Sequence, residues 1–86
     1  MSDGQKAIAE VCNEIKEVLL AKNTSYGNSV FDPIRIFSKA DMIEQINVRI
    51  DDKLSRLMRG EAAGEDTELD LLGYLIIKRA AKRMQK

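Results

Sequence analysis

The sequence contains no histidine, which removes Ser-His and Cys-His catalysis and every imidazole metal ligand from consideration. Its single cysteine cannot close an internal disulfide and fits a reducing compartment. With 5 Gly and 1 Pro the chain lacks the punctuation of a turn-rich β-sandwich. Net charge is missing too: 14 Lys+Arg stand against 14 Asp+Glu. The basic excess of a general nucleic-acid binder is therefore absent, and nucleic acid is not an expected partner. The longest uncharged apolar stretch, Leu71 to Ile77, is far short of the ~20 residues that a membrane-spanning helix needs. The opening Met1-Ser2-Asp3-Gly4-Gln5 is polar and has no signal-peptide core. These absences lead to the expectation of a soluble, cytoplasmic protein with no membrane partner.

What remains is an 86-residue chain that is 44% hydrophobic and 33% charged. That is too apolar for disorder and long enough for one small domain spanning residues 1–86. At ~0.05–0.15 kcal/mol per residue, its stability falls at about 4–13 kcal/mol.

Apolar spacing predicts an all-α fold of three helices arranged as an antiparallel bundle. A first helix starts at the capping-box pair Ser2 and Gln5. Its apolar stripe is Ile8, Val11, Cys12, Ile15, Val18 and Leu19, with Glu10, Glu14, Lys16 and Glu17 opposite. Cys12 on that stripe reads as a buried, inert thiol. Lys22 and Asn23 suit the helix's last turn and exit.

A second helix begins at Asp41, with Glu44 in the third helical position, and stops at Gly60. Ile43, Ile46, Ile50, Leu54, Leu57 and Met58 form its expected buried stripe. Asn47, beside the stripe, reads as a hydrogen bonder to another helix.

A third helix runs from about Asp66. Residues 61–70 hold five acids (Glu61, Glu65, Asp66, Glu68, Asp70) and residues 78–86 five bases (Lys78, Arg79, Lys82, Arg83, Lys86). That layout complements the helix dipole, so the basic end alone does not mark a nucleic-acid surface. Leu69, Leu72, Ile76 and Ala80 cover one side; Leu71, Tyr74 and Leu75 cover the other. A helix apolar all round needs burial all round. Two partner helices in so short a chain do not provide it, so a homo-oligomer is expected.

Residues 23–40 form a long connection between the first two helices, well beyond the ~2–8 residues common in bundles. Val30, Phe31, Ile34, Ile36 and Phe37 are expected to pin it to the core, and Asp32-Pro33 to start one helical turn over 33–38. Tyr26-Gly27 reads either as a stacking ring beside a close backbone approach to phosphate, or as a packed tight turn. Arg49, Lys53 and Arg56, spaced i, i+4, i+7, form one cationic stripe. Asp52 can pair with Arg49 or Arg56. The stripe is either a phosphate clamp or a solvated, salt-bridged face.

The stretches KNTSYGNSVF (22–31), VRIDDKLSRL (48–57) and EDTELDLLGYLII (65–77) together resemble the nucleotide modification associated domain 1 family of small, largely phage-encoded helical proteins. The resemblance covers roughly residues 15–80. It implies functional roles for Lys22, Asn23, Tyr26, Gly27, Arg49, Asp52, Lys53, Arg56, Asp66, Asp70 and Tyr74. Ser25 departs from it, standing where an acid is expected. More distantly, the pattern is similar to all-α nucleoside triphosphate pyrophosphohydrolases, whose paired carboxylates hold Mg²⁺ on the phosphates. This chain offers Glu14, Glu17, Asp66 and Asp70, but Thr67 occupies a position where that pattern has Glu.

Three functions from different classes follow as expectations. The first is binding without turnover: a phage-type sponge for a phosphorylated, immune-signalling nucleotide in the bacterial cytosol. It would use Lys22, Asn23, Tyr26, Gly27, Arg49, Lys53, Arg56 and Asp70, with no metal or cofactor. The second is a Mg²⁺-dependent pyrophosphohydrolase working through Asp66 and Asp70. The third is a protein-inhibiting module.

For Asp70, the one charge between Leu69 and Ile77, burial near an apolar surface requires a cation or hydrogen bonds. Lys53, Arg49 and Lys22 are the candidates within the chain, beside a bound metal.

Overall fold

A computed structural model describes residues 1–27, 29–32, 36–60 and 66–85. Three helices make up the fold: α1 (Asp3–Tyr26), α2 (Met42–Arg59) and α3 (Thr67–Met84).

Each helix start is a local chemical event. At α1, Gln5 N–H donates to Ser2 Oγ at 3.2 Å while Ser2 N–H donates to Gln5 Oε1 at 2.9 Å, a complete capping box. At α2, Glu44 N–H donates to Asp41 Oδ1 at 2.8 Å. At α3, Leu69 N–H donates to Asp66 Oδ1 at 3.0 Å.

The ends differ from one another. Gly60 closes α2 in the left-handed region at φ 73°, its N–H reaching the Leu57 carbonyl. The expected exit of α1 at Lys22 and Asn23 is corrected: the helix continues to Tyr26, and Gly27 ends it at φ 63°. Thr24 does not break the helix because its hydroxyl donates back to the Leu20 carbonyl at 3.0 Å. Gly27 is the first residue after Lys22 for which positive φ is free of steric penalty.

The core lies between α2 and α3. Met42, Ile46 and Ile50 of α2 and Ala81 of α3 are buried together, with Leu71, Tyr74 and Ile77 packed against them. Met42, at the first position of α2, was not on the expected stripe although it stands one turn before Ile46. The distal part of that stripe is corrected: Leu54, Leu57 and Met58 are exposed. Asn47 bonds within its own helix, donating to Glu44 Oε1 at 3.2 Å, and not to a neighbouring one.

In the connection, Val30 and Phe31 pack on the core as expected. Ile36 and Phe37 do not; Phe37 is 97% exposed. Ile34 and the expected turn at Pro33 lie outside the described residues.

Helix α1 packs against α3. The contact centres on Gly73, where an added Cβ would meet Leu19 Cδ2 at 3.0 Å. Of the expected apolar stripe on α1, Ile15 alone is buried, Leu19 is half-buried, and Ile8, Val11 and Val18 are exposed. Cys12 is exposed as well, which corrects its reading as a buried thiol. Length explains this. At ~1.5 Å per residue α1 is about 36 Å long and α3 about 27 Å, so part of α1 extends past its support. The radius of gyration, 14.7 Å, exceeds the ~12 Å of a compact chain this long.

The Gly73 contact yields a graded expectation. Gly73→Ala should change stability by less than about 1 kcal/mol, because helix propensity gained offsets a slight shift of the Leu19 methyl. Gly73→Leu should cost about 1–3 kcal/mol through overpacking. Urea titrations of both variants at one protein concentration check this, and equal stability of the two would contradict the α1–α3 contact.

Candidate functional site

The three helices meet at one carboxylate. Asp70, in the first turn of α3, has Lys53 Nζ of α2 at 3.4 Å from Oδ2 and Lys22 Nζ of α1 at 3.9 Å from Oδ1. Of the cations expected to satisfy Asp70, the structure brings Lys53 and Lys22 to it.

Lys53 is the least solvated of the three side chains, at 14% exposure against 28% for Asp70 and 58% for Lys22. Its position on α2 explains that. At ~100° per residue, Lys53 falls about 20° from Ile46 and about 60° from Ile50, on the core side of the helix. Within the cationic stripe expected on the polar side of α2, Arg49 is exposed while Lys53 is turned toward the core side. Its aliphatic stem follows the apolar seam while the ammonium ends at Asp70.

Two ammonium groups on one carboxylate leave a surplus positive charge in a half-buried place. They also leave more N–H donors than the carboxylate can accept. The positive end of the α3 dipole adds to the field at Asp70.

The other expected residues are distributed around this point. Arg56 Nε lies 3.2 Å from Asp52 Oδ2, an i, i+4 pair along α2. Arg49, one turn before Lys53, is exposed. Asn23 is half-buried beside Lys22 on α1. Tyr26 belongs to the last turn of α1 and not to the connection. Standing four residues after Lys22, it lies on the same side of the helix, and it is 73% exposed. At Gly27 an added Cβ would meet nothing within 4 Å, so its positive φ, and no crowding, is what favours glycine there.

Asp66 and Asp70 are engaged differently: one carboxylate caps α3 and the other faces two lysines. No group of three or more His, Cys, Asp or Glu that could hold a metal occurs among the described residues. No described helix is long and apolar enough to cross a membrane. Compared with known protein families, curated proteins and solved structures, the chain matches none of them.

Proposed function

We propose that this chain is a small nucleotide-binding protein of phage type, similar to the nucleotide modification associated domain 1 family. On this reading it is an antiparallel three-helix protein assembled as a homo-oligomer, and it sequesters a phosphorylated nucleotide in the host cytosol without turning it over. The observation that carries the proposal is the convergence of Lys22 and Lys53, from two helices, on the single carboxylate of Asp70. The lysines take the phosphate oxygens, Arg49 extends the cationic edge, and Tyr26 offers an exposed ring one helical turn from Lys22 for stacking on the base. The direction of the contacts supports the antiparallel arrangement. Lys22 meets Asp70 while the earlier Leu19 meets the later Gly73.

The proposal is tested by incubating pure protein with a cell nucleotide extract in EDTA and identifying what stays bound by mass spectrometry. An intact phosphorylated nucleotide, released unchanged on heating, is the expected result. Mg²⁺-dependent release of pyrophosphate, lost in Asp70→Asn, would replace the sponge with the pyrophosphohydrolase reading.

With the ligand in hand, Lys53→Ala should weaken binding about tenfold. That corresponds to ~1.4 kcal/mol, within the range for a charged hydrogen bond. A calorimetric titration matching wild type would remove Lys53 from the site.

A further inference from the structure

We infer that Thr67 is a positioning residue of the phosphate site: its buried hydroxyl is the reserve donor that Asp70 takes when a phosphate draws Lys22 and Lys53 toward itself. This rests on the nucleotide-binding reading above and concerns how the same site exchanges partners on binding.

Thr67 is 3% exposed and is the one buried polar residue among those described. Its Oγ1 is closed to solvent and has no hydrogen-bond partner among the described residues. Both facts have a local cause. At ~100° per residue, Thr67 falls about 20° from Tyr74 and about 40° from Leu71, two residues of α3 that pack on the core. The seam between α2 and α3 therefore takes Thr67 inside. A helical threonine ordinarily donates to the carbonyl one turn back. Thr67 is the first residue of α3, so no turn of the helix precedes it.

A buried hydroxyl without a partner lowers stability, and a valine of the same shape would avoid the loss. Native interiors rarely keep such a group without a role. Solvent does not reach Oγ1, so a ligand arriving from outside does not touch it in this conformation. The acceptor must come from within the protein, and Asp70 is the one at hand. It stands three residues on and about 60° round the helix, the spacing at which side chains on successive turns meet. In the free chain its oxygens face Lys53 Nζ at 3.4 Å and Lys22 Nζ at 3.9 Å.

A bound phosphate competes for those same ammonium groups. Every donor turned to phosphate is lost to Asp70, and a largely buried carboxylate is costly to leave short of partners. The negative charge brought in beside it adds to that cost. A hydrogen bond from Thr67 Oγ1 to the Asp70 carboxylate offsets the loss and keeps the carboxylate in place beside the lysines. The exchange needs only a rotation of the Asp70 side chain.

The test is calorimetric titration of the full chain with inorganic pyrophosphate in EDTA, beside thermal melts of the free protein at one concentration. Thr67→Val should weaken binding about tenfold, the scale of a hydrogen bond to a charged group. Its melting temperature should equal or exceed that of wild type. Thr67→Ser keeps the hydroxyl and should bind within about twofold of wild type.

A wild-type chain that ignores pyrophosphate, or that binds it no better than Lys53→Ala, would overturn the phosphate reading and this inference together. Binding that depends on Lys53 but is unchanged in Thr67→Val would overturn this inference alone. A Thr67→Val chain that melts below wild type would do the same, because the hydroxyl would then have a partner in the free protein. So would a loss of binding that Thr67→Ser shares, which would trace to packing and not to the hydroxyl.

Discussion

Truncating Ile46 to alanine is expected to lower stability by about 2–5 kcal/mol, the range for removing a large aliphatic side chain from a well-packed interior. Ile46 is 1% exposed and is the one large side chain that is fully buried among the described residues. Met42 and Ile50 flank it along α2, and Ala81 faces it from α3. Leu71, Tyr74 and Ile77 close the far side, with Val30 and Phe31 from the connection. Little else is available to compensate, because the described core contains just Ile15, Met42, Ile46, Ile50 and Ala81 as buried apolar residues. Against a total of about 4–13 kcal/mol, the loss ranges from a modest fraction to the whole.

Met58→Ala, on the same helix but exposed, should stay within about 0.5 kcal/mol. Urea unfolding followed by circular dichroism checks both. Protomer concentration must be held equal, since assembly adds to apparent stability. An Ile46→Ala variant within 1 kcal/mol of wild type would mean that the core is not centred on the α2–α3 seam.

Features decided by chemistry within a few residues were legible in the sequence. Ser2 with Gln5, Asp41 with Glu44, the stop at Gly60 and the helix start near Asp66 all act where the sequence placed them, because a cap needs only its own turn. Which stretch of an apolar stripe is covered depends on where a partner helix ends, and periodicity does not carry that. Ile8, Val11 and Cys12 have the same spacing as Ile15, yet Ile15 is buried and the other three are exposed.

Leu54, Leu57 and Met58 at the far end of α2 failed for the same reason. Phe37 failed for another: an aromatic residue in a connection has no periodicity to say which way it faces. Lys53 was recoverable. Its distance of seven residues from Ile46 and three from Ile50 places it on the core side, and its charge drew the reading toward the neighbouring arginines instead. The Asp70 partnership was legible as a requirement, since a carboxylate among apolar residues must be satisfied. Choosing Lys53 and Lys22 over Arg49 required the crossing of three helices.

Asp70→Asn should cost about 2 kcal/mol of stability, more than the loss of either lysine. Asp70 is the shared partner, so its neutralisation leaves two ammonium groups close together with nothing between them. Removing one member of a fully buried pair costs about 3–5 kcal/mol. Here the Asp70 side chain is 28% exposed and that of Lys53 14%, so water screens part of the loss and the figure is discounted to ~2.

Lys53→Met should cost less, about 1 kcal/mol. The apolar stem is retained, and Asp70 keeps both Lys22 and the positive end of α3. Lys22→Met should be near neutral, as expected for a largely exposed cation at 3.9 Å. The double variant Asp70→Asn/Lys53→Met should lose less than the sum of its parts, because each single change strands a charge that the double change does not.

In the same series Asp70 acts on the proposed ligand only through the lysines it positions. Asp70→Asn should therefore weaken nucleotide binding even when compared at equal folded fraction. Stability and binding both matching wild type in Asp70→Asn would show that the amides at the start of α3 satisfy this carboxylate and that the lysines do not depend on it.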